Sequence, residues 1–598
     1  MSWGKKETLM LAAVLLATAL AYANSLRNPF TTDDRHIILK NFQPWQNWTL
    51  GDLFTRSLFS TSPSESSYFR PLTLLTFALN YPLAGPNPSG YRAVNIGIHL
   101  LVVALIALLA AQLVGRWVAI FSALLYALHP VHVQAVSYIS SRSDLLYTAL
   151  ALLCLLLWIK GSHSQGTRKN LYCSSALCVF FLGLFAKENI VVIPAIVLAM
   201  DFIWDGGASW RSKMKSNIGW YVGFAALFSV YFLIRLGAGF PLSMEGGREF
   251  ALGLRIPFAL RIFTLYVGLI LYPAHLSLFR VVPVPEGFFE WQVIFGALLL
   301  IGMLAAAWYL RQSHKEISFG LLWYLVSAAP IVNLTLLNAP MMEHWLYFPL
   351  IGLTLALVSA VRTIAEKVGE VRGAALGFIF LALLLSARTI SRNAEWGDLT
   401  RLFSRDVSHY PGNWRAWSWL GDALKTEGRL NEAIRAYRNS LSLNPKQAPT
   451  WVALAEALSV AGHDDEAERI FAAAVVARPR EPWFWYLLGI HRLKVGQYQK
   501  AIEPLEKSIE LQSSPMAYHA LASTYLRLGQ KEKAEEAFHK AILMYPGQSK
   551  FHSGVHIDLG KLYLRQGKPK EAREEWQIAL RFEPNNAKTR ELLAKQAK

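Results

Sequence analysis

The chain has 598 residues, 53% of them hydrophobic and 13% aromatic, with only 17% charged and a formal net charge of +18. Soluble domains carry about a quarter charged residues, so this shortfall points to lipid exposure. The length and composition exclude a small disulfide scaffold, a disordered tail protein and a soluble enzyme built on one core. Charge is also unevenly spread. Residues 391–598 hold 31 Lys and Arg with 24 Asp and Glu, against 28 and 17 in residues 1–390. The expected division is a membrane half, 1–390, and a soluble half, 391–598. Excess Lys and Arg in a membrane protein reflects topology and lipid headgroups, so neither half is a nucleic-acid footprint. Cys154, Cys173 and Cys178 lie in apolar stretches and form neither a disulfide framework nor a zinc spacing.

In chain order, the basic start Met1 to Lys6 precedes an apolar run from Leu9 to Ala23. Many more apolar segments follow it, which favours an uncleaved anchor over a signal peptide. Further apolar segments lie near 93–114, 117–136, 144–159, 171–186, 189–204, 218–236, 257–273, 291–310, 317–333, 345–361 and 373–390. The expectation is eleven spans, with 257–273 set apart as re-entrant or interfacial because Arg255 and Arg261 stand at its start. Basic clusters at Lys5/Lys6, Arg116, Arg168/Lys169, Arg211/Lys213/Lys215, Arg311/Lys315 and Arg362/Lys367/Arg372 place those turns in the cytoplasm. The N-terminus is then cytoplasmic, and the loop 24–92 and the soluble half are extracytoplasmic.

Several ionisable residues fall at the ends of apolar segments on that extracytoplasmic side. Asp33 and Asp34 adjoin in FTTDDRHI, where like charges raise one carboxyl and suit it to accept a proton. The alternative is a solvated turn or helix cap at Thr-Asp-Asp. His129 and His132 stand in ALHPVHVQAV, Arg142 and Asp144 in YISSRSDLLY, Lys187 and Glu188 in LFAKEN, and Glu343 and His344 in MMEHWLYFP. Each alone fits a helix end or a connector between helices. Their shared side is the stronger signal, since ionisable groups at membrane depth pair or line an aqueous cavity. The basic members suit an anionic group such as a lipid phosphate. No HExxH, P-loop or GxSxG motif is present.

The soluble half is periodic. Gly428, Gly462 and Gly496 recur with Ala433, Ala467 and Ala501, followed by Gly529/Ala534 and Gly567/Ala572; Pro445, Pro479, Pro546 and Pro584 close four of the units. The pattern predicts five helix–turn–helix units of the tetratricopeptide type over 413–584, with a capping helix at 586–598. Such arrays form a concave groove, so the expected partner is a protein chain. A self-association module or scaffold is the bland alternative.

The ordered motifs NSLRNPFTTDDRHI, YFRPLTLLTFALN, NIGIHLL, LHPVHVQAVSYISSRSDLL, LFAKE and MEHWLYFPLIG, trailed by a repeat array, resemble the transmembrane and tetratricopeptide repeat containing proteins. The resemblance covers essentially the whole chain. It implies an all-α GT-C glycosyltransferase: a polytopic membrane domain followed by an α-solenoid, taking sugar from a polyprenyl-phosphate donor to Ser/Thr of extracytoplasmic proteins, as in O-mannosylation. By this resemblance Asp33 and Asp34 are the catalytic pair, with Asp34 slightly favoured as base in an inverting transfer. Arg70, Arg142 and Lys187 would stabilise the departing phosphate, with His99, His129 and His132 behind them, and Glu188, Glu343 and His344 would complete the site. His344 departs from the pattern, since it stands where the family usually has arginine, which bears on the donor. A divalent metal near Asp33, Asp34 and Glu343 is compatible with the superfamily, although no spacing demands it. A prokaryotic origin, with a bacterial inner membrane and periplasmic repeats, fits the size and short N-terminus; an endoplasmic reticulum membrane with luminal repeats is the eukaryotic equivalent. Two competing readings remain: a non-catalytic membrane scaffold for envelope complexes, and transfer to lipid or glycan acceptors.

Overall fold

The computed structural model describes residues 3–40, 51–55, 58, 68–205, 207–240, 252–334, 337, 339–445, 447–544, 550–583 and 586–596. Part of the expected loop 24–92 lies outside them, as do Pro546 and Pro584. The described residues are helical, without a strand. They fall into two compact units, Met1–Asn413 and Trp414–Lys598.

In the first unit eight helices are long and apolar enough to cross a bilayer: Lys5–Arg27, Pro88–Leu113, Ile139–Ser162, Trp210–Gly237, Gly253–Leu271, Trp291–Leu310, Pro349–Val368 and Val371–Glu395. Arg116–Leu128 and Pro130–Ser137 make a ninth if their 53° bend is counted as one broken span. The expected eleven included two stretches that fold as Ile193–Asp205 and Lys315–Ala328, of 13 and 14 residues. At 1.5 Å per residue, helices of this length reach only about 20 Å of a core roughly 30 Å thick. The segment at 257–273, expected to be re-entrant, lies in one of the eight spanning-length helices.

Where the helices Lys315–Ala328 and Pro349–Val368 cross, side chains are missing on both. A Cβ at Gly320 would stand 2.5 Å from the Gly352 carbonyl oxygen, and a Cβ at Gly352 would stand 2.5 Å from that of Gly320. Small residues let the backbones of Lys315–Ala328 and Pro349–Val368 touch, as in membrane helix pairs generally. This matters for function because Pro349–Val368 directly follows the 343–346 turn.

The second unit stacks five antiparallel helix pairs. They are Trp414–Thr426 with Leu430–Leu443, Ala448–Val460 with Asp464–Ala477, Pro482–Lys494 with Tyr498–Leu511, Pro515–Arg527 with Lys531–Leu543, and Lys550–Arg565 with Pro569–Phe582; Ala587–Gln596 follows. The periodic glycines lie at the turn inside each pair, all with positive φ, a conformation that favours glycine. Buried alanines at the start of each second helix admit Tyr437, Phe471, Leu505, Phe538 and Trp576 one turn later, and these fill the space between the paired helices. One repeat has an open hollow on its surface. Ala477, itself exposed, occupies the register that holds Leu443, Leu511, Met544 and Phe582 in the others, and it lines the hollow with Pro445, Trp451, Ile470 and Phe484.

Two outcomes follow from these contacts. Gly320→Leu forces the backbones apart and abolishes the monodisperse folded peak in size-exclusion chromatography of the detergent-solubilised chain. Ala477→Leu fills the hollow and raises the thermal transition of the repeat unit by about 2–4 °C, the equivalent of ~1 kcal/mol.

Candidate active site

The site is built by a helix that breaks. Pro130 brings no N–H and restrains the residue before it, so the helix Arg116–Leu128 ends at His129. The chain then runs through the 3₁₀ turn Pro130–His132, the short helix Val133–Ser137 and the turn Ile139–Ser141 before the long helix Arg142–Ser162 begins. Every residue from His129 to Leu145 is buried, so its polar groups need internal partners. Arg92 supplies one set: its Nε donates to the Ser137 carbonyl at 2.9 Å, and its Nη atoms donate to the carbonyls of Asn28 and Pro29. Asn393 supplies another. Its Oδ1 accepts from Ser137 Oγ at 2.6 Å, and its own carbonyl accepts from Asn28 Nδ2 at 2.8 Å. The chain around residue 28 is thereby pinned against Ser137.

That pinning separates the two aspartates. Asp34 is fully buried. Its Oδ2 accepts from Thr31 Oγ1 at 2.7 Å and from the Thr31 N–H at 3.3 Å, while its Oδ1 accepts from the Ser140 N–H at 2.9 Å and Ser140 Oγ at 2.7 Å. Both oxygens thus cap a turn and fasten it to the broken helix. Asp33 instead faces an open cavity and accepts from the Tyr138 hydroxyl.

The cavity holds about 790 Å³ of empty space including its mouth. Arg70, Lys187, Glu188 and His344 line it with Asp33, Tyr68, Tyr138, Ser143 and Asp144. Arg70 directly precedes Pro71, at the start of the helix Pro71–Ala84. The Leu72 N–H donates to the Phe185 carbonyl at 3.0 Å, and Thr73 Oγ1 to that of Ala186 at 3.1 Å. These two bonds set Arg70 beside Lys187. Arg70 donates to Ser143 Oγ at 3.0 Å and lies 3.6 Å from Glu188 Oε1, while its buried Nε finds no partner among the described residues. Lys187 Nζ donates to Asp144 Oδ1 at 2.6 Å, and His344 Nε2 stands 3.9 Å from Asp144 Oδ2. The result is an acid, a hydroxyl and a basic group of three residues around one water-accessible space.

Other residues singled out in the sequence are placed elsewhere. Arg142 is fully buried, donating to Asn95 Oδ1 at 2.7 Å, to Asn80 Oδ1 and to the Tyr91 carbonyl, and does not line the cavity. His99 contacts the Tyr347 hydroxyl at 2.6 Å and the Ala127 carbonyl at 3.2 Å. His129 donates to the Ile270 carbonyl at 3.0 Å beside an apolar groove. His132 has two ring nitrogens without hydrogen-bond partners among the described residues and packs on Tyr126 and Tyr347 at ring distances of 4.3 and 4.8 Å. Tyr138, Ser140 and Ser143 were not singled out from the sequence. Their signal was the run of hydroxyls in SYISSRSD directly after a proline-broken helix.

Glu343 turns away from the cavity that its neighbours Met342 and His344 line. Its Oε1 accepts from the Ser277 N–H at 2.5 Å and lies 3.8 Å from Arg280. Asp406, on the helix Leu399–His409, accepts from the Leu278 N–H at 3.0 Å. Burial pushes the Glu343 carboxyl up to about 7 and Asp406 up to about 6, against the opposing pull of nearby Arg392. With Asp34 committed to its turn and Glu343 facing elsewhere, the three carboxylates do not converge on a metal; among the described residues no group of three ligating side chains does.

Fold and site together define a polytopic helical membrane protein with a tetratricopeptide array and a cavity lined by Asp33, Arg70 and Lys187. Tetratricopeptide-repeat family models match residues 397–448, 424–489, 515–548 and 553–586. The chain is similar to the Homo sapiens protein named Protein O-mannosyl-transferase TMTC1, 28% identical over 502 residues that cover 73% of this chain and 55% of that protein. It is also similar to human Protein O-mannosyl-transferase TMTC4, 27% identical over 70% of this chain and 64% of that protein. The chain is thus a relative of the transmembrane and tetratricopeptide-repeat proteins, matching somewhat over half the length of these two. A solved structure of MamA aligns with 28% of this chain and 97% of its own, at 29% identity and a TM-score of 0.25.

Glu343 gives the site a measurable signature. A carboxyl raised in the folded state binds its proton more tightly there, so stability falls as pH rises from the unfolded value of 4.5 towards about 7. Glu343→Gln removes that slope. The melting temperature of the variant gains on wild type between about pH 5 and 7 and holds a constant offset above it, as read by thermal unfolding across a pH series.

Proposed function

We propose that this protein is an inverting membrane glycosyltransferase that moves a hexose, mannose by analogy with its named relatives, from a polyprenyl-phosphate donor to Ser/Thr hydroxyls of extracytoplasmic proteins. The observation that carries this reading is the placement of Asp33 in one cavity with Arg70, Lys187 and His344. Asp33 takes the proton of the acceptor hydroxyl, and the freed oxygen attacks the anomeric carbon from the face opposite the phosphate. The bond from that carbon to the phosphate oxygen breaks, and its electron pair stays on the polyprenyl phosphate. Arg70 and Lys187 meet the charge that develops there, where a pre-set cation in a partly dry site counts for more than in water. Tyr138 holds the Asp33 carboxylate in place. His344, where arginine would carry a fixed charge, makes the grip on phosphate weaker.

The same reading orients the chain. Lys5 and Lys6 begin the first helix and Asp33 follows its far end, so the positive-inside rule sets the cavity on the extracytoplasmic side. A bacterial inner membrane with periplasmic repeats suits this arrangement, and the repeats would then hold acceptor or partner proteins on the side where transfer occurs. Asp34, with both oxygens engaged, supports the turn that presents Asp33.

Labelled transfer into protein from polyprenyl-phosphate mannose distinguishes the two aspartates. Asp33→Asn loses about 10²–10³ in kcat with its melting temperature unchanged. Asp34→Ala loses about 1–3 kcal/mol of stability instead, and each molecule that stays folded retains most of its transfer. The opposite pattern would make Asp34 the base. No transfer by wild type across a panel of donors would overturn the enzymatic reading.

A further inference from the structure

The helix Leu399–His409 belongs to two patterns at once. It falls inside a tetratricopeptide match that starts at residue 397, yet it is part of the unit Met1–Asn413. Leu402 and Phe403 are buried in that unit, and so is Asp406, at 2% exposure. A buried carboxylate beside a loop needs a specific reason to be there. Here its Oδ2 accepts from the Leu278 N–H at 3.0 Å, and the Ser277 side chain also hydrogen-bonds the carboxylate. Four residues past the helix, Asn413 Nδ2 donates to the Phe279 carbonyl at 2.6 Å. Tyr410 accepts from Arg280, whose guanidinium lies 5.2 Å above its ring. The opposite side of the same loop is held by elements of the candidate site: Glu343 accepts from the Ser277 N–H at 2.5 Å, and Gln134 Nε2 donates to the Leu278 carbonyl at 3.0 Å. Between these two sets of anchors, Phe279 forms part of the cavity wall. Asn413 is bonded directly to Trp414, the first residue of the repeat unit.

We propose that the helix Leu399–His409 and Asn413 set the Phe279 wall of the cavity, so that Asp406 and Asn413 are positioning residues for the transfer site. The proposal rests on the glycosyltransferase reading above. Neither residue lines the cavity, and both act through the backbone of residues 277–280.

Two readouts on the full chain in lipid nanodiscs test this. Backbone amide exchange over residues 274–283 reports the anchoring without reference to chemistry. Asp406→Ala and Asn413→Ala are expected to speed it about tenfold or more, while Asp406→Asn, which keeps an oxygen for the Leu278 N–H, stays within about twofold of wild type. Transfer of labelled mannose from polyprenyl-phosphate mannose to a short Ser/Thr peptide then reports the wall. Both alanine variants are expected to lower kcat about five- to tenfold with KM for the peptide nearly unchanged, and Asp406→Asn to restore it. Unchanged exchange in both alanine variants overturns the proposal, and so does faster exchange with unaltered transfer. Faster exchange in a protein whose wild type transfers no sugar overturns the enzymatic reading while leaving the brace in place.

Discussion

Pro130 removes an amide hydrogen from a helix that is buried on every side, and the interior has no water with which to replace the lost bonds. The consequences spread outward from that point. Arg92 and Asn95 supply donors to the carbonyls of Val136 and Ser137, and Asn393 reaches in from the last spanning-length helix to Ser137. Because Arg92 and Asn393 also hold Asn28, the chain leaving the first helix is drawn to the same place. The cavity forms where three chain segments meet to satisfy one broken helix, and Tyr138 and Ser140 are aimed by the break itself. Local unsatisfied backbone thus becomes global placement of the Asp33–Asp34 pair.

Charge burial follows the same economy of partners. Lys187 and Asp144 are both almost fully buried at 2.6 Å, so loss of either would leave an uncompensated charge at a cost of about 3–5 kcal/mol. Deeper, Arg392 donates to Glu395 at 2.6 Å, and around it Glu343, Asp406 and Arg280 hold the loop that carries Phe279. The two clusters meet at consecutive residues, with Glu343 in one and His344 beside the other. A single short turn therefore connects the cavity to the support behind it.

Much of the architecture was legible in the sequence because it is periodic. The spacing of Gly428, Gly462 and Gly496 requires a repeated turn, and the register of Tyr437 and Phe471 behind buried alanines requires paired helices. The membrane half gave its apolar runs but not their roles. A stretch such as 189–204 has the composition of a span, yet a 3₁₀ turn at Glu188–Val192 shortens the helix that follows. The Gly320–Gly352 contact left no local trace, since close approach depends on two distant helices meeting at the right register. At the site, the shared side of the ionisable residues was readable, whereas their directions were not. Asp33 and Asp34 differ by one position, about 100° around a helical turn, which separates a residue facing a cavity from one capping the turn. His99, His129 and Arg142 have the residue types of phosphate ligands, but their partners are carbonyls and amides contributed by other helices, which no local motif encodes. Tyr138 carries no signature of its own, because a buried tyrosine between Val136 and Ile139 resembles core.

The cations of the cavity are already engaged within the protein, Lys187 by Asp144 and Arg70 by Glu188 and Ser143. In the proposed reaction this has a kinetic meaning. A leaving phosphate carries more negative charge than the diester from which it departs, and unpaired arginines and lysines would retain it as a tight product complex. Here each cation has a resident carboxylate to return to. The site can lend positive charge while the bond breaks and withdraw it afterwards, so that spent carrier lipid diffuses back into the bilayer and turnover is not limited by its release.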